Sequence, residues 1–77
     1  MKIAKYPKLT ELKKFMYRRN VSYRKAADEI HISLDAINNK MNGYTDFSKS
    51  EMIALAKLLK MTETEFIKAF MIDLRND

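Results

Sequence analysis

The stretch from Val21 to Gly43, VSYRKAADEIHISLDAINNKMNG, reads as two short helices separated by a tight corner. Ser22 is a residue type that opens helices, because its side-chain oxygen accepts a backbone N–H, and Ala26, Ala27 and Ile30 then fall on one side. Two adjacent alanines suit a close helix crossing. Ser33 opens the second helix in the same way, and Gly43 stands just past its end, where a left-handed backbone costs glycine least. Only His31 and Ile32 lie between the two. A helix, a turn of three or four residues and a second helix make a helix-turn-helix, whose second helix fits a DNA major groove.

The flanks supply helices for this pair to pack on. Met1 to Pro7 reads as a basic N-terminal arm with little structure, ending where Pro7 disfavours helix at Tyr6. Residues 8–77 read as a single domain. Lys8 to Asn20 forms its first helix, with Leu9, Leu12, Phe15, Met16 and the Arg19 stem at three- and four-residue spacing, leaving Lys13, Lys14, Arg18 and Arg24 for solvent or phosphate. Tyr44 to Phe47 is a loop in which Phe47 plugs the core. A fourth helix runs from a Ser48 or Ser50 cap to Leu59 with Met52, Ile53, Leu55, Ala56 and Leu59 as its apolar face. Thr62 and Glu65 then form a capping-box pattern, and a fifth helix runs from Glu63 into the last residues. Its apolar content is wider than one stripe, so Phe70, Met71 and Leu74 are candidates for a homodimer surface, the alternative being a helix lying back across helices one and four.

Seventy-seven residues with one glycine, one proline and no cysteine bound the possibilities. Such a chain is one all-helical unit, burying only about 60% of its unfolded surface, without disulfides or thiolate metal sites. No apolar run reaches the roughly 18 residues of a membrane span, and the first residues lack a signal-peptide core, so a soluble cytoplasmic protein is expected. Charge is informative by position. Residues 1–25 hold nine Lys or Arg against Glu11 alone, while the rest hold six basic and nine acidic side chains. A basic end on a mildly acidic domain suits a surface that faces phosphates, although a solvated lysine-rich helix carries the same signature. A cationic first helix with Phe15 and Tyr17 also has the pattern of a membrane-surface helix, but its apolar stripe is accounted for as core.

The second helix of the pair divides by period into Ala36, Ile37 and Met41 facing inward and Leu34, Asp35, Asn38 and Asn39 on or near the outside. In a major groove Leu34 could meet a thymine methyl, Asp35 could accept from a cytosine amino group, and Asn38 or Asn39 could bond adenine through two contacts. The ordinary alternatives are a first-turn carboxylate complementing the helix dipole for Asp35 and polar surface for the two asparagines.

With these residues in view, the chain from Lys8 to Phe70 resembles the Cro and phage-repressor (XRE-like) helix-turn-helix family of DNA-binding domains. Ala27 matches its small residue in the first helix of the motif and Ile37 its buried aliphatic in the second. Leu12 and Phe15 match its first helix, and Leu55, Ala56, Leu59, Met61, Thr62 and Phe66 match its run from helix four into helix five. The resemblance implies a compact five-helix, lambda-repressor-like fold and a small transcriptional regulator that binds double-stranded DNA as a homodimer. It places Leu34, Asp35 and Asn39 at base-reading positions. It places Asn42, and the loop residues Tyr44 and Thr45, on the DNA backbone. Tyr23 stands where the family commonly has a phosphate-contacting glutamine, and its hydroxyl could donate a similar bond. His31 stands at the family's corner glycine and would have to be left-handed, which histidine tolerates better than most residues. Met16 and Met41 occupy positions where relatives pair an arginine with a glutamate, a swap that packed hydrophobes can make without loss of stability. Tyr23, Arg24, Ser33, Asn42, Tyr44, Thr45, Lys14 and Arg18 make up the expected backbone-contacting set.

No enzyme can be assembled from the remainder. His31 is the only histidine, there is no nucleophilic cysteine, and no glycine-rich phosphate cradle or ligand-spaced histidine pair is present, so neither cofactor nor metal is expected. The alternative function is a protein-binding module on the same fold, an anti-repressor or an inhibitor turning its basic face to an acidic protein partner.

Overall fold

Four of the five helices start where a serine or threonine side chain can take up a free backbone N–H. In the computed structural model, which describes residues 3–71, the helices are α1 (Thr10–Arg18), α2 (Tyr23–Ile30), α3 (Leu34–Met41), α4 (Lys49–Leu58) and α5 (Glu63–Ala69), with no strand among those residues. Ser22 accepts from the Lys25 N–H and Ser33 from the Ala36 N–H, each at 3.0 Å. Ser48 and Thr62 go further and form capping boxes with Glu51 and Glu65, whose carboxylates reach back to the cap N–H at 2.8 and 2.9 Å. Each such cap contributes about 1 kcal/mol. The α1 N-terminus differs: Leu9 offers no side-chain acceptor, and its own N–H donates to the Met41 carbonyl. For that reason α1 starts at Thr10 rather than at Lys8.

The helix ends share one device. Asn20, His31, Gly43, Lys60 and Met71, one after each helix, all have positive φ, and only one of them is glycine. At the first four ends the next N–H bonds back across the last turn, from Val21 to Met16, Ile32 to Ala27, Tyr44 to Asn39 and Met61 to Ala56. His31 takes the left-handed conformation expected of it, at φ 61 and ψ 44. The left-handed turn at Asn20 stops α1 at Arg18, short of the expected Asn20. Likewise α5 stops at Ala69, before a left-handed turn at Met71, and the rest of the run expected for it lies outside the described residues.

The core follows from what these turns bring together. α2 packs against α3 and α4, and α1 packs against α5. Leu12, Met16, Ile37, Leu55 and Leu59 are fully buried, and Met41, Phe47, Ala26 and Ala27 join them. Met16 and Met41 are thus both core residues. Two expectations about the apolar surface need correcting. Ile53 does not face the core but is 43% exposed. Phe70, expected at a dimer surface, is only 8% exposed, edge-on to Phe47 at 5.6 Å and tilted on Phe66 at 5.1 Å, so it fills the core. Met71 beside it is exposed, and Leu74 lies outside the described residues.

Gly43 is the most constrained backbone position. Its φ is +84°, and a Cβ there would collide with the Tyr6 carbonyl oxygen. Gly43→Ala should therefore destabilise by more than the roughly 1–2 kcal/mol of a left-handed alanine alone. His31→Gly, at an open corner, should stabilise by about 0.5–1 kcal/mol and raise the melting temperature by a few degrees. Thermal melts of the two variants beside the parent check both signs.

Candidate nucleic-acid interface

Because Ile37 and Met41 turn inward, the opposite side of α3 is left to polar residues. Leu34 and Asp35 are exposed at its first turn, and Asn38 and Asn39, expected on or near the exposed side, are half-buried. Ala36, expected inward, is also half-buried. The Ser33 oxygen already accepts from Ala36, so any contact it makes to a phosphate must be through its hydroxyl hydrogen.

The expected backbone-contacting residues fall into separate groups. Tyr23 and Asn42 line one cleft of about 160 Å³, together with Lys8, Thr10 and Lys13 from the start of α1. This cleft is lined by two lysines, a tyrosine, an asparagine, the apolar Leu9 and Met41, and the first residue of the one helix that lacks a side-chain cap. Burial pushes the Tyr23 hydroxyl up from its ordinary value, so it is a neutral hydrogen-bond donor at physiological pH. Such a set is suited to an oxyanion, since uncapped helix N–H groups and cations attract negative charge. Lys14 and Arg18 lie elsewhere, along a groove of about 410 Å³ on the outside of α1 with Thr10, Lys13 and Tyr17. There Lys14 pairs with Glu11 at 3.7 Å and the Arg18 guanidinium sits 4.9 Å over the Phe15 ring. Arg24 is exposed on α2, Thr45 is exposed in the loop after Gly43, and Tyr44 is half-buried. Backbone N–H groups of Tyr44 and Thr45 both donate to the Asn39 carbonyl, at 2.9 and 3.4 Å, which folds the loop onto the end of α3.

Two contacts that set the position of α3 have no local sequence signal. The N-terminal arm is tied down: the Lys5 and Tyr6 N–H groups both donate to the Gly43 carbonyl at 2.9 Å. Lys40 donates to the Asp46 carbonyl at 2.7 Å, pairs with Glu51 at 3.3 Å and lies 5.7 Å over the Phe47 ring. A lysine in the last turn of a reading helix would suggest a phosphate contact, but this one is occupied inside the protein. Its partners come from α4 and the preceding loop, so only the tertiary fold reveals the role. Arg19 is likewise occupied within the protein, donating from Nε to the Leu59 carbonyl at 3.0 Å and approaching Glu65 at 3.7 Å.

Among the described residues no three His, Asp or Glu side chains converge to hold a metal ion, and no helix is long and apolar enough to cross a membrane. Compared with known protein families, curated proteins and solved structures, the chain matches none.

The Lys40–Glu51 contact gives a pH dependence of definite sign. Burial alone pushes the Glu51 carboxyl up, but the Ser48 N–H and the Lys40 ammonium outweigh it and hold the group below its ordinary 4.5. A depressed folded-state value means that the stabilisation is complete above about pH 4.5 and is lost as the pH falls through the lower folded value. Melting temperatures of the parent should therefore drop between about pH 5 and pH 3, and Glu51→Gln should show a lower but flatter profile over that window. An unchanged slope in the variant would remove Glu51 from the account.

Proposed function

We propose that this protein is a sequence-specific double-stranded DNA-binding regulator of the Cro and phage-repressor type, with α2, the His31 corner and α3 as its helix-turn-helix. The observation that carries the reading is the cleft formed by Lys8, Thr10, Lys13, Tyr23 and Asn42, which adjoins the C-terminal end of α3. A phosphate seated there would fix the register of the duplex, and Leu34, Asp35, Asn38 and Asn39 would then meet base edges in the major groove. Repression would be steric, by occupation of the site, and a homodimer would read two half-sites about one DNA turn apart. Support comes also from the bias of the chain, whose first 25 residues hold nine of its fifteen basic side chains.

A second reading, a module that binds an acidic protein partner, is favoured by one feature. Tyr17 is 85% exposed in the groove it shares with Lys13, Lys14 and Arg18, and an open aromatic ring among cations suits an acidic peptide. Tyr17→Ala should leave DNA affinity unchanged if the first reading holds.

The deciding measurement is affinity for the DNA flanking the protein's own gene and for a scrambled duplex, titrated over several salt concentrations. A preference of about 10³ or more, with both affinities falling steeply with salt, is expected. Asn39→Ala should cost about 1–3 kcal/mol at the preferred site and little on scrambled DNA. Lys13→Ala should weaken both duplexes alike and lower the salt slope by about one. Equal losses on both duplexes for Asn39→Ala would end its role in base reading.

A further inference from the structure

The two sides of α1 carry opposite chemistry. Leu12, Phe15 and Met16 are buried, while Thr10, Lys13, Lys14 and Tyr17 recur at three- and four-residue spacing on the other side and, with Arg18, line the groove of about 410 Å³. Tyr17 is the most exposed large apolar or aromatic side chain among the described residues. Around it the charges have one sign. Lys13 makes no ion pair with another described residue, Lys14 is largely exposed and only 3.7 Å from Glu11, and Arg18 lies over the Phe15 ring. An ion pair as open as Lys14 with Glu11 is screened by water and gives way readily to a better partner. The other exposed apolar side chains lack this setting. Ile53 opens on a cleft that mixes Lys57 and Lys60 with Glu63, Tyr6 and Met71 border one that holds both Lys40 and Asp46, Leu34 stands beside Asp35, and Ile3 belongs to the arm before α1.

From this coincidence of an open ring and cations of one sign we propose that the outer groove of α1 docks an acidic peptide segment of a partner protein and that the docked segment opposes DNA binding. An apolar side chain of the segment lies on Tyr17 and the lysine stems, and its carboxylates meet Lys13, Lys14 and Arg18. The class of partner rests on the second reading above, and the opposition to DNA on the first. An unpaired nucleic-acid strand has the same sign of charge, but its successive bases need a row of rings to stack on, and this groove offers one. The opposition follows from shared residues. Thr10 and Lys13 line both this groove and the cleft beside Tyr23. A single Lys13 ammonium answers a carboxylate in the first or a phosphate in the second, so the docked segment weakens phosphate binding and a bound duplex weakens docking by the same factor. An acidic partner thereby releases DNA without touching α3.

The probe is a dye-labelled synthetic peptide of glutamates around a single tryptophan, titrated into the full chain at low salt. It should bind with a Kd of about 100 µM or tighter and shift the amide resonances of α1. Tyr17→Ala and Lys14→Glu should each weaken it about 10-fold, whereas Lys57→Glu, the same charge change on α4, should cost less than about 3-fold. All three positions are exposed or half-buried, and circular dichroism confirms that the helices are kept. No binding at about 1 mM overturns the docking site, as do equal losses from Lys14→Glu and Lys57→Glu. So does a single-stranded oligonucleotide that binds more tightly than the peptide and is equally sensitive to Tyr17→Ala. Added peptide should lower the affinity of the parent for the duplex flanking its gene about 10-fold, and that of Tyr17→Ala much less. Unchanged duplex affinity in the parent overturns the opposition. Peptide binding without any duplex binding would end the DNA reading and keep the docking site, and duplex binding without peptide binding would do the reverse.

Discussion

The geometry of the candidate interface depends on one backbone contact, between the only glycine and the residues that precede α1. Gly43 ends α3 with a left-handed turn, its carbonyl accepts from both Lys5 and Tyr6, and its bare Cα lies against the Tyr6 carbonyl. With Leu9 bonded to the Met41 carbonyl, this brings the start of α1 to the end of α3. The cleft that joins Lys8 and Lys13 to Tyr23 and Asn42 exists because those two backbones meet so closely. A side chain at residue 43 would hold them apart, and the cations would lose their position opposite the phenol.

The two ends of α3 are held by different means. Its first turn is fixed only by local capping from Ser33, which leaves Leu34 and Asp35 at an open surface. Its last turn is fixed from three directions: by the arm, by the loop amides on Asn39, and by Lys40 reaching Asp46 and Glu51. An element that is to insert into a groove needs this arrangement, rigid at its base and unobstructed where it would make contact.

What could be read from the chain beforehand was what local chemistry encodes. Ser22, Ser33 and Thr62 with Glu65 announce helix starts because a cap needs only the next three residues, whereas the left-handed His31 is expected only through the resemblance that puts it at a corner glycine. The capping box of Ser48 with Glu51 obeys the same rule. The rest was hidden because it is made between residues far apart in sequence. Arg19 meets Leu59 forty positions away, and Lys40 looks like any surface lysine until Phe47 and Glu51 are folded over it. The sides of α4 and α5 were misjudged for a related reason. The apolar residues of α4 and of the run from Phe66 onward are spread wider than one stripe, so periodicity does not say that Phe70 turns in while Ile53 turns out.

The pairing of α1 with α5 joins the earliest of the described helices to the latest, and Arg19 adds a hydrogen bond to the end of α4. α2, α3 and α4 are consecutive and can assemble through short loops, whereas closing α1 onto α5 must enclose nearly the whole domain, at a greater cost in chain entropy. Order of synthesis adds to this. While the chain is still emerging from the ribosome, Tyr23 and Asn42 are made early, yet the helix that carries Lys13 gains its packing against α5 only when α5 is complete. The cleft beside Tyr23 thus reaches its final rigidity only when the whole domain has closed.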